Sequence, residues 1–91
     1  MRLKQGKGWM QRLPIHDEVL PGQTVVELLG DCRVLIEHHR GVTEYGTSRI
    51  QVRVKFGMVS VCGEGLELCR MTGNQLVITG RIDSISLFRG D

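Results

Sequence analysis

The densest group of chemically active side chains lies near the middle of the sequence, where Glu37 and Glu44 flank His38, His39 and Arg40. A hydrolase would use one histidine as a general base and a cysteine as the nucleophile. No spacing in this sequence brings a base, a nucleophile and an orienting third residue together. We therefore expect no enzymatic activity and interpret the cluster as a solvated turn or a recognition surface.

Three cysteines, Cys32, Cys62 and Cys69, form an odd set without a Cys-x-x-Cys pair. A secreted disulfide framework usually has an even and denser set, so we expect a reducing, cytoplasmic compartment. The spacing of Cys62 and Cys69 does not match the common zinc motifs, which disfavours a zinc site made with the two histidines. Adjacent histidines on an extended strand also point to opposite faces. We expect no metal ion and no cofactor, and small, partly buried cysteines.

The net charge of +2 is unevenly distributed. Residues 1–13 carry four basic side chains and no acidic one, whereas residues 14–91 carry eight basic and ten acidic groups. A nearly neutral body of mixed charge argues against a nucleic-acid-binding face on the folded part. The basic segment could contact anionic lipid or RNA, at about 1 kcal/mol per basic residue near a membrane surface. The simpler interpretation is a basic, mobile extension over residues 1–22.

The chain of 91 residues is long enough for one ordinary domain. No apolar run approaches the roughly 20 residues that a membrane-spanning helix needs. The first residues also lack the apolar stretch of a secretory signal. These features predict a cytoplasmic protein with one folded domain over residues 23–91.

The elements that must position the polar cluster have the pattern of strands. Ile50, Val52, Val54 and Phe56 alternate with polar residues, which is typical of a strand with one buried and one wet face. No stretch after Gly22 has the spacing of an amphipathic helix. Most of the later glycines fall between apolar segments, where they predict turns. The sequence therefore predicts an all-β domain of about eight short antiparallel strands, a meander that forms a β-roll or a small sandwich.

Two further features bear on this architecture. Only four residues are aromatic, so the core must be built from Val, Ile and Leu. A change of step at Asp83 and Ser84 indicates a β-bulge. Residues 59–63 and 76–80 share an alternating pattern that ends in glycine, and such repeats also occur in short β-solenoids, which is the alternative architecture.

The order of the residues between 28 and 45 resembles the signature of the YabP/YqfC family of sporulation proteins. That signature has an apolar pair, Gly-Asn, a strand that ends in Ile-Glu-Asn-His-Arg-Gly, and then an apolar residue and Glu-Tyr. Residues 80–85 are similar to the family's Gly-Lys/Arg-Ile-x-Ser-Ile ending. The Leu-Pro dipeptide at residues 13–14 fits the YqfC branch.

The sequence departs from the signature at three positions. Asp31 and His38 stand where the family usually has Asn, and Thr24 stands where proline is common. The central His-Arg-Gly sequence at residues 39–41 is intact, so the resemblance holds over nearly the whole chain.

The resemblance implies a non-enzymatic protein of endospore-forming Firmicutes that acts in the mother cell and affects the spore coat or cortex. It also implies a YqfD-like or YabQ-like membrane protein as partner, encoded nearby, and a position at the outer forespore membrane. Exposed strand edges could supply that contact or allow self-association. The alternative is a β domain that binds an anionic membrane surface or RNA through its basic N-terminal segment. The candidate interaction residues are His38, His39, Arg40, Gly41, Tyr45 and Arg81.

Overall fold

The computed structural model describes residues 22–90. The predicted mobile extension at residues 1–22 therefore lies almost entirely outside the described residues. Every regular element between residues 22 and 90 is a β-strand, and this part contains no helix that could cross a bilayer. The strands are β1 (Val25–Leu29), β2 (Arg33–Glu37), β3 (Val42–Tyr45), β4 (Arg49–Val54), β5 (Gly57–Met71) and β6 (Gln75–Arg89).

The six strands form one antiparallel sheet in the order β1-β2-β6-β5-β4-β3. Strands β3 to β6 follow one another as a meander, whereas the β1–β2 hairpin joins the sheet beside β6. The first half of β6 pairs with both β2 and β5, and its second half pairs with β5 alone among the described strands. Similarly, the first half of β5 pairs with β4 and β6, and its second half pairs with β6. The two long strands thus connect two smaller sheet halves.

The core lies between these two halves of the sheet. Each half turns one face inward, with Val34 and Ile36 from β2 and Ile50 and Val52 from β4 fully buried in a single hydrophobic cluster. Two halves of a sheet that pack their apolar faces against each other form a β-roll or a β-sandwich. The scarcity of aromatic residues correctly predicts the composition of the core. Its ten buried residues are Val34, Ile36, Ile50, Val52, Val54, Val59, Val61, Leu66, Leu76 and Ile78.

The all-β antiparallel class is confirmed, but the prediction of about eight short strands is wrong in number. Gly63, Gly65 and Gly80, which the sequence pattern assigns to turns, lie inside β5 and β6. The register of this strand pair shifts at three places, and one shift leaves Asp83 without a partner on β5, as the predicted bulge requires. A bulge bends a strand pair without ending it. Two 15-residue strands therefore replace four short ones.

The solenoid alternative is contradicted by the direction of the strands. A β-solenoid stacks its repeats as parallel strands. The two similar segments, residues 59–63 and 76–80, lie instead on neighbouring strands that run antiparallel. Their likeness reflects two bulged strands that each have a glycine at the bend.

The glycines at the bulges allow two backbones to approach closely. A Cβ atom added at Gly63 would lie 1.8 Å from the carbonyl oxygen of Arg81, and one at Gly80 would lie 2.6 Å from that of Gly65. The amides of Gly63 and Gly80 also donate hydrogen bonds to carbonyls in the β3–β4 and β1–β2 turns. The bend of the long strands is therefore linked to both hairpins.

Candidate interaction surface

His39, at the centre of the polar cluster, is a buried side chain. The residue is only 8% exposed, and both ring nitrogens have hydrogen-bond partners. Nδ1 accepts the amide hydrogen of Gly41 at 2.9 Å, so Nε2 carries the ring hydrogen and donates it to the carbonyl of Thr72 at 2.9 Å. The ring thus joins the β2–β3 turn to the β5–β6 turn. Its nitrogens hold two loops together and leave none for a ligand.

We expect His39→Ala to lower the free energy of unfolding by about 1–3 kcal/mol, because the Gly41 amide and the Thr72 carbonyl both lose their partner. Urea denaturation measures this change. Arg40→Ala is the matched control, since the Arg40 side chain is exposed, and it should change the free energy by no more than about 0.5 kcal/mol. An equal loss in both variants would contradict the role of the ring.

The other candidate residues contact different parts of the sheet. Arg40 lies beside β4, where its amide donates to the carbonyl of Arg53 at 2.7 Å. Tyr45 is exposed, and its hydroxyl accepts a hydrogen bond from the amide of Leu68 at 3.4 Å. Arg81 lies at the bulge of β6. The candidate residues thus lie on different elements of the sheet, the β2–β3 turn, β3 and β6, and their role as an interaction surface stays a prediction.

Arg81 is engaged by two surface carboxylates. Its guanidinium lies 3.1 Å from Asp83 and 3.3 Å from Glu64. The hydrogen bond and the charge of Asp83, followed by the charge of Glu64, raise the pKa of Arg81. Because all three side chains are at least half exposed, these ion pairs contribute little to stability. They do neutralise the arginine, which reduces its value as a contact for an anionic partner.

The cysteines and histidines do not form a metal-binding group within residues 22–90. Cys62 is half-buried, whereas Cys32 and Cys69 are exposed, and all three are free thiols. The prediction of partly buried cysteines thus holds for Cys62 alone. Because backbone groups occupy both ring nitrogens of His39, a zinc site with Cys62 and Cys69 would lack one of its expected ligands.

The exposed apolar side chains are concentrated on two strand edges that the sequence analysis did not single out. Among residues 22–90, seven large hydrophobic residues are exposed, and three of them lie on β1 and two near the end of β6. Among the described strands, β1 pairs only with β2, and the second half of β6 pairs only with β5. Such edges expose backbone N–H and C=O groups that have no partner strand. The five residues are Val26, Leu28, Leu29, Leu87 and Phe88.

A groove of about 270 Å³ runs between these two edges. Val26 is opposite Ile36 and Leu87 is opposite Val59, so both side chains belong to the inward-facing set of the sheet. They are nevertheless exposed, because the two halves of the sheet do not meet here. Within the part of the chain that the structure describes, the groove is thus an uncovered side of the core. Its lining residues are Thr24, Val26, Phe56, Val59, Ile85, Ser86 and Leu87.

Comparison with known proteins assigns the chain to a family. The model of the YabP family matches residues 21–90, which include all six strands. The chain belongs to the YabP family. The protein YqfC of Bacillus subtilis (strain 168) is 22% identical over 85 residues, which span 92% of this chain and 91% of YqfC. No solved structure matches the chain. The resemblance to the YabP/YqfC family is thereby confirmed.

Several residues of the YabP family signature shape the backbone. Gly41 has a φ angle of 111° and donates to the ring of His39, which fixes the β2–β3 turn. Gly80, at the start of the closing signature, has a φ angle of 134° at the bulge. His38 has a φ angle of 62°, in the left-handed region that Asn, Asp and His adopt more readily than other residues with a side chain. Asn, which the resembled signature has at this position, shares this preference.

We expect His38→Val to lower the free energy of unfolding by about 1–2 kcal/mol, because a β-branched side chain is strained in the left-handed region. His38→Asn introduces the usual residue of the YabP family and should stay within about 0.5 kcal/mol of the parent protein. Thermal or chemical denaturation of both variants measures the difference. Equal losses for Val and Asn would indicate that the imidazole, and not the backbone conformation, is what this position requires.

Proposed function

We propose that this YabP family domain is a non-enzymatic interaction module that docks on a membrane protein in the mother cell of a sporulating bacterium. Membership of the YabP family supports a role in sporulation. The proposed partner is a YqfD-like or YabQ-like protein in the outer forespore membrane, and the proposed outcome is an effect on the spore coat or cortex. The proposed compartment is the mother-cell cytoplasm, because three cysteines without a Cys-x-x-Cys pair do not resemble a secreted disulfide framework.

The groove between β1 and the end of β6 carries the docking proposal. An extended segment of a partner can pair with an unpaired strand edge while its side chains enter an adjoining apolar groove. Backbone pairing gives affinity that depends little on sequence, and the groove selects the apolar side chains. Both features occur together here. The edges of β1 and β6, which have no further partner strand among residues 22–90, border a groove with Phe56, Ile85 and Leu87 in its lining.

The exposed apolar side chains supply the energy for such a contact. Complete burial of a Leu or Phe side chain is worth about 1.5–3 kcal/mol. Leu87 is 52% exposed, so covering it gains roughly half of that amount, and several neighbours on β1 add to it. A second copy of the domain could use the same edges for self-association. Affinity purification of a tagged protein would then also recover untagged copies of the protein.

Affinity purification from detergent-solubilised membranes of sporulating cells tests the proposal. We expect the tagged full-length protein to recover one multi-pass membrane protein encoded nearby. The rival function, lipid or RNA binding through residues 1–13, places the contact outside the described residues. It predicts membrane or RNA association that persists without the partner gene and is lost when residues 1–13 are deleted. That pattern, or a protein that recovers no membrane protein, would contradict docking.

A further inference from the structure

A cluster of basic residues surrounds the end of the sheet where β4 turns into β5. Arg40, Arg53 and Lys55 line a recess of about 180 Å³ together with other residues of the β4–β5 turn. Arg53 and Arg89 line a second recess of about 200 Å³. No Asp or Glu side chain lines either recess. These four cations form the basic end of the domain.

Carboxylates of the described part of the chain do not neutralise the basic end. The ion pairs found between residues 22 and 90 are made by Arg49 and Arg81, which lie elsewhere in the sheet. Arg89 lies over the ring of Phe56, 5.7 Å from its centroid, which orients its guanidinium without cancelling the charge. Asp91, the last residue, is outside the described part. As far as residues 22–90 are concerned, the four charges are thus available to an anionic partner.

Apolar side chains adjoin the basic end on the outer face of the sheet. Arg53, Met58 and Phe88 are opposite one another on β4, β5 and β6, which places them in one row on that face. Phe88 is 56% exposed and Met58 is half-buried. Cations bind the phosphates of anionic headgroups, and Trp, Phe and Leu side chains of peripheral proteins enter the boundary between headgroups and acyl chains. The row therefore has the chemistry of a surface that contacts a membrane.

We propose that the basic end binds the surface of an anionic phospholipid bilayer, with Arg40, Arg53 and Lys55 at the headgroup phosphates and Phe88 between the headgroups. An acidic peptide would use the same cations, but it would leave the exposed phenyl ring without a partner. Leu87 faces the apolar groove and Phe88 faces the other side of β6. The domain can therefore contact lipid and a membrane protein at the same time, and lipid binding does not depend on the partner.

Co-sedimentation of the purified full-length protein with vesicles tests this proposal. Mixed vesicles of phosphatidylglycerol and phosphatidylcholine are compared with vesicles of phosphatidylcholine alone. We expect R53Q/K55Q to bind the anionic vesicles about 30-fold more weakly, since each cation near the surface contributes about fivefold. The control R33Q/R70Q removes the same charge from exposed positions of β2 and β5, outside the basic end, and should bind almost as the parent protein does.

Two further comparisons distinguish binding by the basic end from other causes of vesicle binding. Phe88→Ser leaves the charge unchanged, so weaker binding by this variant supports insertion of the ring. Equal binding by the two double variants would overturn the proposal: equal weakening would indicate non-specific attraction, and no weakening in either would indicate binding through residues 1–13. Binding of inorganic phosphate to a protein that does not bind vesicles would also overturn it. Thermal unfolding of each variant verifies that the exposed substitutions leave the fold intact.

Discussion

Gly63→Ala is expected to prevent the domain from folding. The added Cβ atom would lie 1.8 Å from the carbonyl oxygen of Arg81 and 3.2 Å from the side chain of Leu66. The first contact is with backbone, so only separation of β5 from β6 can relieve it. Separation would also disturb Leu66, which is buried in the core. We expect the substitution to lower the free energy of unfolding by more than about 4 kcal/mol. This is a large part of the roughly 5–15 kcal/mol by which a typical domain is stable.

Gly73→Ala is the matched control for this prediction. Gly73 lies in the β5–β6 turn, and an added Cβ atom would have no other atom within 4 Å. We expect its free energy of unfolding to stay within about 1 kcal/mol of the parent value, because the loss of backbone freedom in the unfolded chain is slightly favourable. Urea denaturation followed by circular dichroism compares the two. Similar midpoints for both variants would contradict the close approach of β5 and β6 at the bulge.

The sequence predicts local strands well, because alternation within a strand reports which side chains are buried. In β4, Ile50 and Val52 are buried, whereas Arg49 and Arg53 are exposed, as the period of two requires. The Val, Ile and Leu composition of the core follows from the scarcity of aromatic residues. These predictions need no information about which strand lies beside which.

The length of β5 and β6 could not be predicted, because glycine is common both in turns and in β-bulges. Whether Gly63 ends a strand or bends it depends on the backbone of Arg81, which approaches it from another strand. The burial of His39 could not be predicted for the same reason. Its polarity suggests a solvated turn, but the ring is buried, and its hydrogen-bond partner Thr72 is 33 residues away in sequence.

The two surfaces on which the proposals rest also depend on strand pairing. Arg40, Arg53, Lys55 and Arg89 meet only because β4, β5 and the end of β6 lie side by side. The excess of acidic groups in residues 14–91 conceals this local cluster. Leu87 and Phe88 are exposed because no further strand covers that edge in the described part of the chain.

Leu87→Lys is expected to remove most of the binding to the membrane partner. The substitution deletes an apolar side chain from the groove lining and introduces a charge where a partner would exclude water. Loss of the apolar contact costs about 1 kcal/mol, because Leu87 is only half exposed, and burial of the ammonium group adds a further cost, so the affinity should fall by about tenfold or more. Because Leu87 is half exposed in the free domain, the variant should still fold.

Recovery of the membrane partner by Leu87→Lys and Met71→Lys proteins tests docking through the groove most directly. Met71 is 49% exposed near the end of β5 and does not line the groove, so the control adds the same charge at a similarly exposed apolar position. At equal amounts of folded protein, the parent and Met71→Lys should recover the partner equally, and Leu87→Lys should recover about tenfold less or none. Equal recovery by both variants would contradict docking through the groove.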